Sequence, residues 1–363
     1  MTIDTKLNNY FTMRKFLSFL ALTLLFTACQ NEHKQDGDGA LVDVKLYLSA
    51  EDVATRAEEA TGYNSALGAI VNFNDADWQK YDLRYILEVY NANDNGSGAP
   101  VAKRQVRILD KYTAGKEVFF EIQLQTFKSY QFVVFADIVN QGEQTDLYYD
   151  TADMRMITLK DSMTAPMNEA RDAYFVSEKA TISVSDNVKS FKLKRPFGKL
   201  RVVTEDYDYI ANYAVPAKAK VTYYNCELFK SFNAVSGNVS SIRPEKELTF
   251  EYNIANGGLY TAGIDAEVEG EKKNMTLFTD YLLATPIGES EVNFTLSLWD
   301  ENNKEIVGHD FNMPIPIERN HLTTIKGNLL TTSATIKVTV NHTLNDHGDY
   351  KSEVEYPYDQ EQE

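Results

Sequence analysis

The chain has only two cysteines in 363 residues, Cys29 and Cys226, so no disulfide framework can staple its fold. No stretch carries a sustained helical period and strands do not alternate with helices, which excludes helical bundles and doubly wound α/β folds. Basic residues are outnumbered, 36 against 53 acids, for a net charge of −17. Such a surface does not attract nucleic acid or anionic lipid. No glycine-rich phosphate loop, serine nucleophile elbow or metalloprotease helix occurs. The five histidines, His33, His309, His321, His342 and His347, are scattered. Only His342 and His347 come near ligand spacing, and surface histidine outweighs zinc for them. The many carboxylates of an acidic chain mostly mark solvated faces. No enzyme activity, metal or cofactor is therefore expected.

Tryptophan is scarce, two residues, whereas Tyr (22) and Phe (19) are plentiful, a balance that suits strands. The apolar run Phe16–Phe26 is too short to span a bilayer and no second apolar block follows it. Arg14 and Lys15 precede the run, and Thr27 and Ala28 place small residues before Cys29, the pattern of a secretory signal that ends in a lipobox. Phe26 occupies the position where lipoproteins usually carry Leu. Residues 1–12 lack signal character, which makes Met13 an alternative start.

Removal of residues 1–28 leaves an acylated Cys29 and a mature chain of 335 residues, about the length of two domains. The leader carries +2 (Lys6, Arg14 and Lys15 against Asp4), so the mature charge falls from −17 to near −19. Membrane attachment then has to come from lipid, at about 0.8 kcal/mol per buried CH₂. Cys226, left alone in VTYYNCELF, reads as a buried and inert thiol.

Residues 29–39 are polar and acidic and read as a flexible tether. Beyond them Val42, Val44, Leu46 and Leu48 alternate with Asp43, Lys45 and Tyr47, the mark of a half-buried strand. The polar stretch 51–62 follows, with Arg56 and Ala57 in its middle, and reads as exposed and open to proteolysis. Strand-like runs recur at 83–90, 101–109, 118–124 and 130–139, the last apolar on both faces and so central. The loop 91–100 has Asn91 at its first position and Ala102 at its twelfth, so it is a hairpin loop and not a calcium loop.

Around 140–170 the text is irregular, with room for a short helix. A second strand-rich set occupies 195–340, where Pro314 and Pro316 confine their segment to an edge or a connection. The pattern predicts an all-β chain of two tandem antiparallel β-sandwiches, 40–194 and 195–340, and an acidic tail over 341–363.

Two longer stretches carry a resemblance. DAYFVSEKATISVSDNVKSFKLKRPFGKLRVVT (172–204) resembles the domain junction of Bacteroidales fimbrillins, where a strand ending in Leu-x-Arg-Pro leads into a second sandwich. PIPIERNHLTTIKGNLLT (314–331) resembles their closing segment, with its Arg-Asn pair. The resemblance covers most of 40–340 and implies two transthyretin-like sandwiches, export as a lipoprotein to the outer membrane and cell surface, and assembly into a fimbria, or pilus. It further implies an Arg-specific protease that cuts at Arg56–Ala57. The strand carrying Val42, Val44, Leu46 and Leu48 would be removed, and its groove filled by a strand of another fimbrial subunit, either 335–340 or 354–358.

The triplets around Thr151 and Ser162 resemble the O-glycosylation sites of Bacteroidales. An alternative role, a surface lipoprotein that binds glycan or host protein, draws on Tyr207, Tyr209 and Tyr213, although Tyr-rich loops more often pack a sandwich rim.

Overall fold

The computed structural model describes residues 39–50, 79–109, 118–160, 165–206, 215–243, 246–254, 275–286, 290–331, 335–341 and 350–357, with Val42–Glu363 grouped in one compact unit. The described residues form twenty strands. The first nine are β1 (Leu41–Ala50), β2 (Tyr81–Asn91), β3 (Gln105–Leu109), β4 (Val118–Gln125), β5 (Ser129–Asn140), β6 (Tyr149–Asp150), β7 (Ile157–Leu159), β8 (Ala173–Thr181) and β9 (Val188–Leu193). After them come β10 (Phe197–Thr204), β11 (Lys218–Tyr224), β12 (Phe229–Asn233), β13 (Asn238–Ile242), β14 (Glu247–Asn253) and β15 (Met275–Leu283). The last five are β16 (Ser290–Trp299), β17 (Glu305–Ile317), β18 (Leu322–Gly327), β19 (Thr335–Asn341) and β20 (Tyr350–Pro357).

Sheets β4-β1-β9 and β3-β2-β5-β8 enclose a first core that includes Leu46, Phe120, Leu87, Phe132 and Leu193. The outer side of β3-β2-β5-β8 is covered in turn. Phe135 packs on Tyr149 with ring centroids 5.5 Å apart and Phe175 on Phe232 at 4.5 Å, which lays sheet β13-β12-β7-β6 over it. With layers on both sides, β5 is buried along nearly its whole length, and its sequence is accordingly apolar on both faces. Sheets β15-β10-β18-β19-β20 and β14-β11-β16-β17 enclose a second core around Leu200, Val221, Phe294, Leu296 and Ile325.

The expected boundary at 194/195 lies just before β10, within which the chain changes core: Phe197 belongs to the first and Leu200 to the second. The sheets do not respect that line. The hairpin β12–β13 lies beyond it in sequence, yet Phe232 pairs with Ile157 of β7 and Phe232, Ala234 and Val235 join the first core.

Three buried ion pairs tie residues before the line to residues after it. A single 3-10 turn, Glu169–Arg171, capped by Asn168, supplies most of them with the adjoining Asp172. Glu169 accepts from Lys199 at 2.6 Å and from the Tyr281 hydroxyl. Arg171 donates to Asp280, which also accepts from Tyr223. Asp172 receives a two-pronged pair from Arg195 at 2.7 and 2.8 Å, and the Arg195 guanidinium lies 4.4 Å over the Tyr174 ring. A buried charge is costly when alone, and here each has an opposite partner and further hydrogen bonds.

The Arg-Pro and Arg-Asn segments meet at this seam. The Arg195 amide donates to Asn320 Oδ1 at 3.0 Å. Arg319 donates to the Ala284 and Gly237 carbonyls and lies over the rings of Phe175 and Phe232. Gly198 allows the crossing, because a β-carbon there would sit 2.5 Å from the Glu318 carbonyl oxygen.

Several local expectations change. Residues 350–357, expected as acidic tail, form β20 on the edge of its sheet beside β19. The irregular region around 140–170 contains short strands and the 3-10 turn. The expectation for Pro314 and Pro316 holds: they lie inside β17, which is an edge strand, so their missing N–H groups cost the ladder little.

Candidate functional site

The strand predicted from Val42–Leu48 is β1, and it occupies the middle of a three-stranded sheet. Val44, Leu46 and Leu48 are fully buried and Val42 is half-buried, whereas Asp43 and Lys45 face water. This follows from period-two alternation with one wet face. On one side β1 runs parallel to β9, from Lys45 opposite Val188 to Ala50 opposite Leu193. On the other, Gln123 donates to Asp43, Lys45 pairs with Glu121 at 3.2 Å and Tyr47 packs on Phe119. That stepwise order makes β4 antiparallel to β1.

The walls of the β1 position are therefore Phe120, Ile122 and Leu124 of β4 with Phe191 and Leu193 of β9. Their alternation was visible in the sequence. That they flank β1 was not, because both pairings are long-range. Arg56, Ala57, Cys29, Ser162, Tyr207, Tyr209 and Tyr213 lie outside the described residues, as do residues 1–28 and most of the tether.

Thr151 is 2% exposed. Its hydroxyl donates to Asp146 at 2.8 Å and accepts from Arg104 at 3.1 Å, so adding a glycan to the folded chain there would break both bonds. The Asp146 carboxylate also accepts from the Thr151 amide at 2.9 Å and pairs with Arg84 at 2.7 Å. Burial opposes its ionisation, but the Thr151 donors and Arg84 outweigh it and hold the carboxyl below its ordinary value. With the folded pKa depressed, this stabilisation is complete above the unfolded value of about 4 and fades as pH falls through the folded value. Asp146→Asn is expected to lower the thermal midpoint at about pH 7, and the gap to the unaltered chain should narrow as pH falls below the unfolded value of about 4. A gap that is constant with pH would show that the carboxylate's charge is not what stabilises the fold.

The 91–100 segment is the connection of the β2–β3 hairpin. Its Gly96, Ser97 and Gly98 carbonyls converge on Arg155 at 3.2–3.4 Å, so a guanidinium occupies the loop. Cys226 is half-buried, and burial pushes its thiol pKa up, away from nucleophilic use. Among the described residues, no three His, Cys, Asp or Glu side chains gather as metal ligands, and no helix is long and apolar enough to cross a membrane.

Among solved structures, the chain is similar to a protein described as a putative cell adhesion protein from Bacteroides uniformis ATCC 8492, at 13% identity over 90% of this chain and 100% of that one, with a TM-score of 0.43. It is similar to a fimbrial assembly protein from Parabacteroides distasonis ATCC 8503, at 15% identity over 86% and 99%, TM-score 0.37. It is also similar to the fimbrial anchor protein Mfa2 from Porphyromonas gingivalis, at 13% identity over 79% and 91%, TM-score 0.37. No curated protein matches it. A family profile matches residues 37–359, nearly the whole of the strand-forming chain, and the protein belongs to that family of unknown function, DUF6562.

Proposed function

We propose that the chain is an exported lipoprotein of a surface fimbria, a subunit, anchor or accessory protein that joins its neighbours by strand exchange. In this reading Cys29 carries the lipid that holds the chain at the outer membrane, and an Arg-specific protease cuts at Arg56–Ala57. The chain does no covalent chemistry of its own.

One observation carries the proposal. β1 is the middle strand of its sheet, it fills the first core with Val44, Leu46 and Leu48, and it lies upstream of Arg56. A cut after Arg56 would sever β1 from every residue it packs on. Its departure would leave β4 and β9 as facing edges about 10 Å apart, with unpaired N–H and C=O groups and an apolar floor. A strand from another copy fits such a gap by main-chain pairing and alternate side-chain pockets. β20 is the better donor. It is paired on one side only, whereas β19 has neighbours on both sides and places Ile336 and Val338 in the second core.

N-terminal sequencing of protein shed from the cell surface tests this. A start at Ala57, lost in an Arg56→Ala variant, is the expected result. Finding only acylated Cys29 would sink the stalk version and leave an anchor or accessory role.

A further inference from the structure

Trp299, the one tryptophan among the described residues, stands on the water side of β16, opposite the face that carries Val292, Phe294, Leu296 and Leu298 into the core. It lines an open trough of about 460 Å³ on the outer face of sheet β14-β11-β16-β17, together with Lys220, Thr222, Tyr224, Thr295 and Ser297. Register sets the layout. Lys218 faces Trp299, Lys220 faces Ser297 and Thr222 faces Thr295 across β11 and β16. On β17, Gly308 faces Ser297 and Asp310 faces Thr295. Tyr224 donates to Asp310, which holds the second ring over the sheet. The two aromatic side chains thus bracket a floor of short hydroxyl groups roughly 20 Å long, six residues of strand.

Gly308 lowers that floor without a structural need for glycine. Its φ is not in the left-handed region. A β-carbon would make only ordinary contacts there, 3.4 Å to Glu305 Oε1 and 3.5 Å to Ser297 Oγ. Glycine inside a strand weakens it and often marks the close approach of another molecule.

We propose that this trough binds a short neutral oligosaccharide. The rings of Trp299 and Tyr224 offer plates for the C–H faces of sugar rings. Thr222, Thr295, Ser297, Lys220 and Asp310 offer donors and acceptors for the hydroxyls between. The hydroxyl floor gives an apolar helix nothing to pack on, and Glu247, Glu251 and Asp310 outnumber Lys218 and Lys220 around it, which disfavours an anionic ligand. This site goes beyond the assembly role and uses a different sheet from β1, so either can fail alone.

Calorimetric titration of the full chain with cellotetraose, maltotetraose, mannotetraose and chitotetraose tests it. Binding of at least one is expected, weakened tenfold or more by Trp299→Ala and by Gly308→Thr. Gly308→Thr should leave the thermal midpoint unchanged or higher, because threonine favours strands. No heat from any of the four sugars, or an affinity unaltered by Gly308→Thr in a chain that keeps its thermal midpoint, overturns the proposal.

Discussion

A chain that begins at Ala57 will lose the stability of its first core and regain it when a synthetic peptide of residues 40–50 is added. Val44, Leu46 and Leu48 are 0–5% exposed, and burying each contributes about 1.5–3 kcal/mol, roughly 5–9 kcal/mol together. That is comparable to the whole stability of an ordinary domain. Both neighbouring strands lose their ladder partner at the same time, and the exposed edges favour aggregation. Thermal unfolding of the truncated chain, with and without peptide, reads the effect. A peptide carrying Val44→Asp and Leu46→Asp should give no rescue, because each carboxylate would enter the apolar floor unpaired. In the full chain, Leu46→Ala alone should cost about 2–5 kcal/mol. A truncated chain as stable as the full one, and indifferent to the peptide, would remove the basis for strand exchange.

Arg195→Ala should be the most damaging substitution at the seam, with an expected loss of about 3–5 kcal/mol in urea denaturation. Arg195 and Asp172 are 2% and 1% exposed, so removal of the guanidinium leaves a carboxylate in a dry site and a bare Tyr174 face. The Arg195 amide bond to Asn320 survives the change, which confines the loss to the side chain. The double variant Arg195→Ala with Asp172→Ala should recover part of the stability, since no uncompensated charge remains. A loss under about 1 kcal/mol for the single variant would mean that water reaches Asp172 after all.

The readable parts of this fold are those with one wet face. β1 and β16 alternate so regularly that their inward residues are evident from the sequence, and extending the β16 pattern by one position already places Trp299 on the water side. β12 and β13 were not readable. SFNAVSGNVSSI is short, polar and rich in serine, and only its register against β7 makes it part of a sheet. Of β20 only residues 354–358 were legible as strand; its acids made the rest look like tail, and its pairing with β19 is not visible in the text. The Arg195 and Arg319 motifs stood out as text, but their hydrogen-bond partners are 21 to 125 residues distant. Glu169 and Asp172 look like any other carboxylates of an acidic chain until Lys199, Tyr281 and Arg195 close around them.

The parallel pairing of β1 with β9 also has a mechanical side. A pull arriving through the residues before β1 acts along the strand, so its ladder bonds on both flanks bear the load together in shear instead of peeling one after another. While its link to β2 is whole, β1 is an attachment that resists tension. Once that link is cut, β1 can leave by sliding. A slip of two residues towards the pull puts Leu46 and Leu48 where Val44 and Leu46 sat and leaves only Ala50 for the Leu48 pocket, whereas a slip of one would drive Asp43 and Lys45 inward. The alternation that seats β1 divides its exit into two-residue steps, and each step fills fewer apolar pockets than the one before, so release is graded at first and then complete.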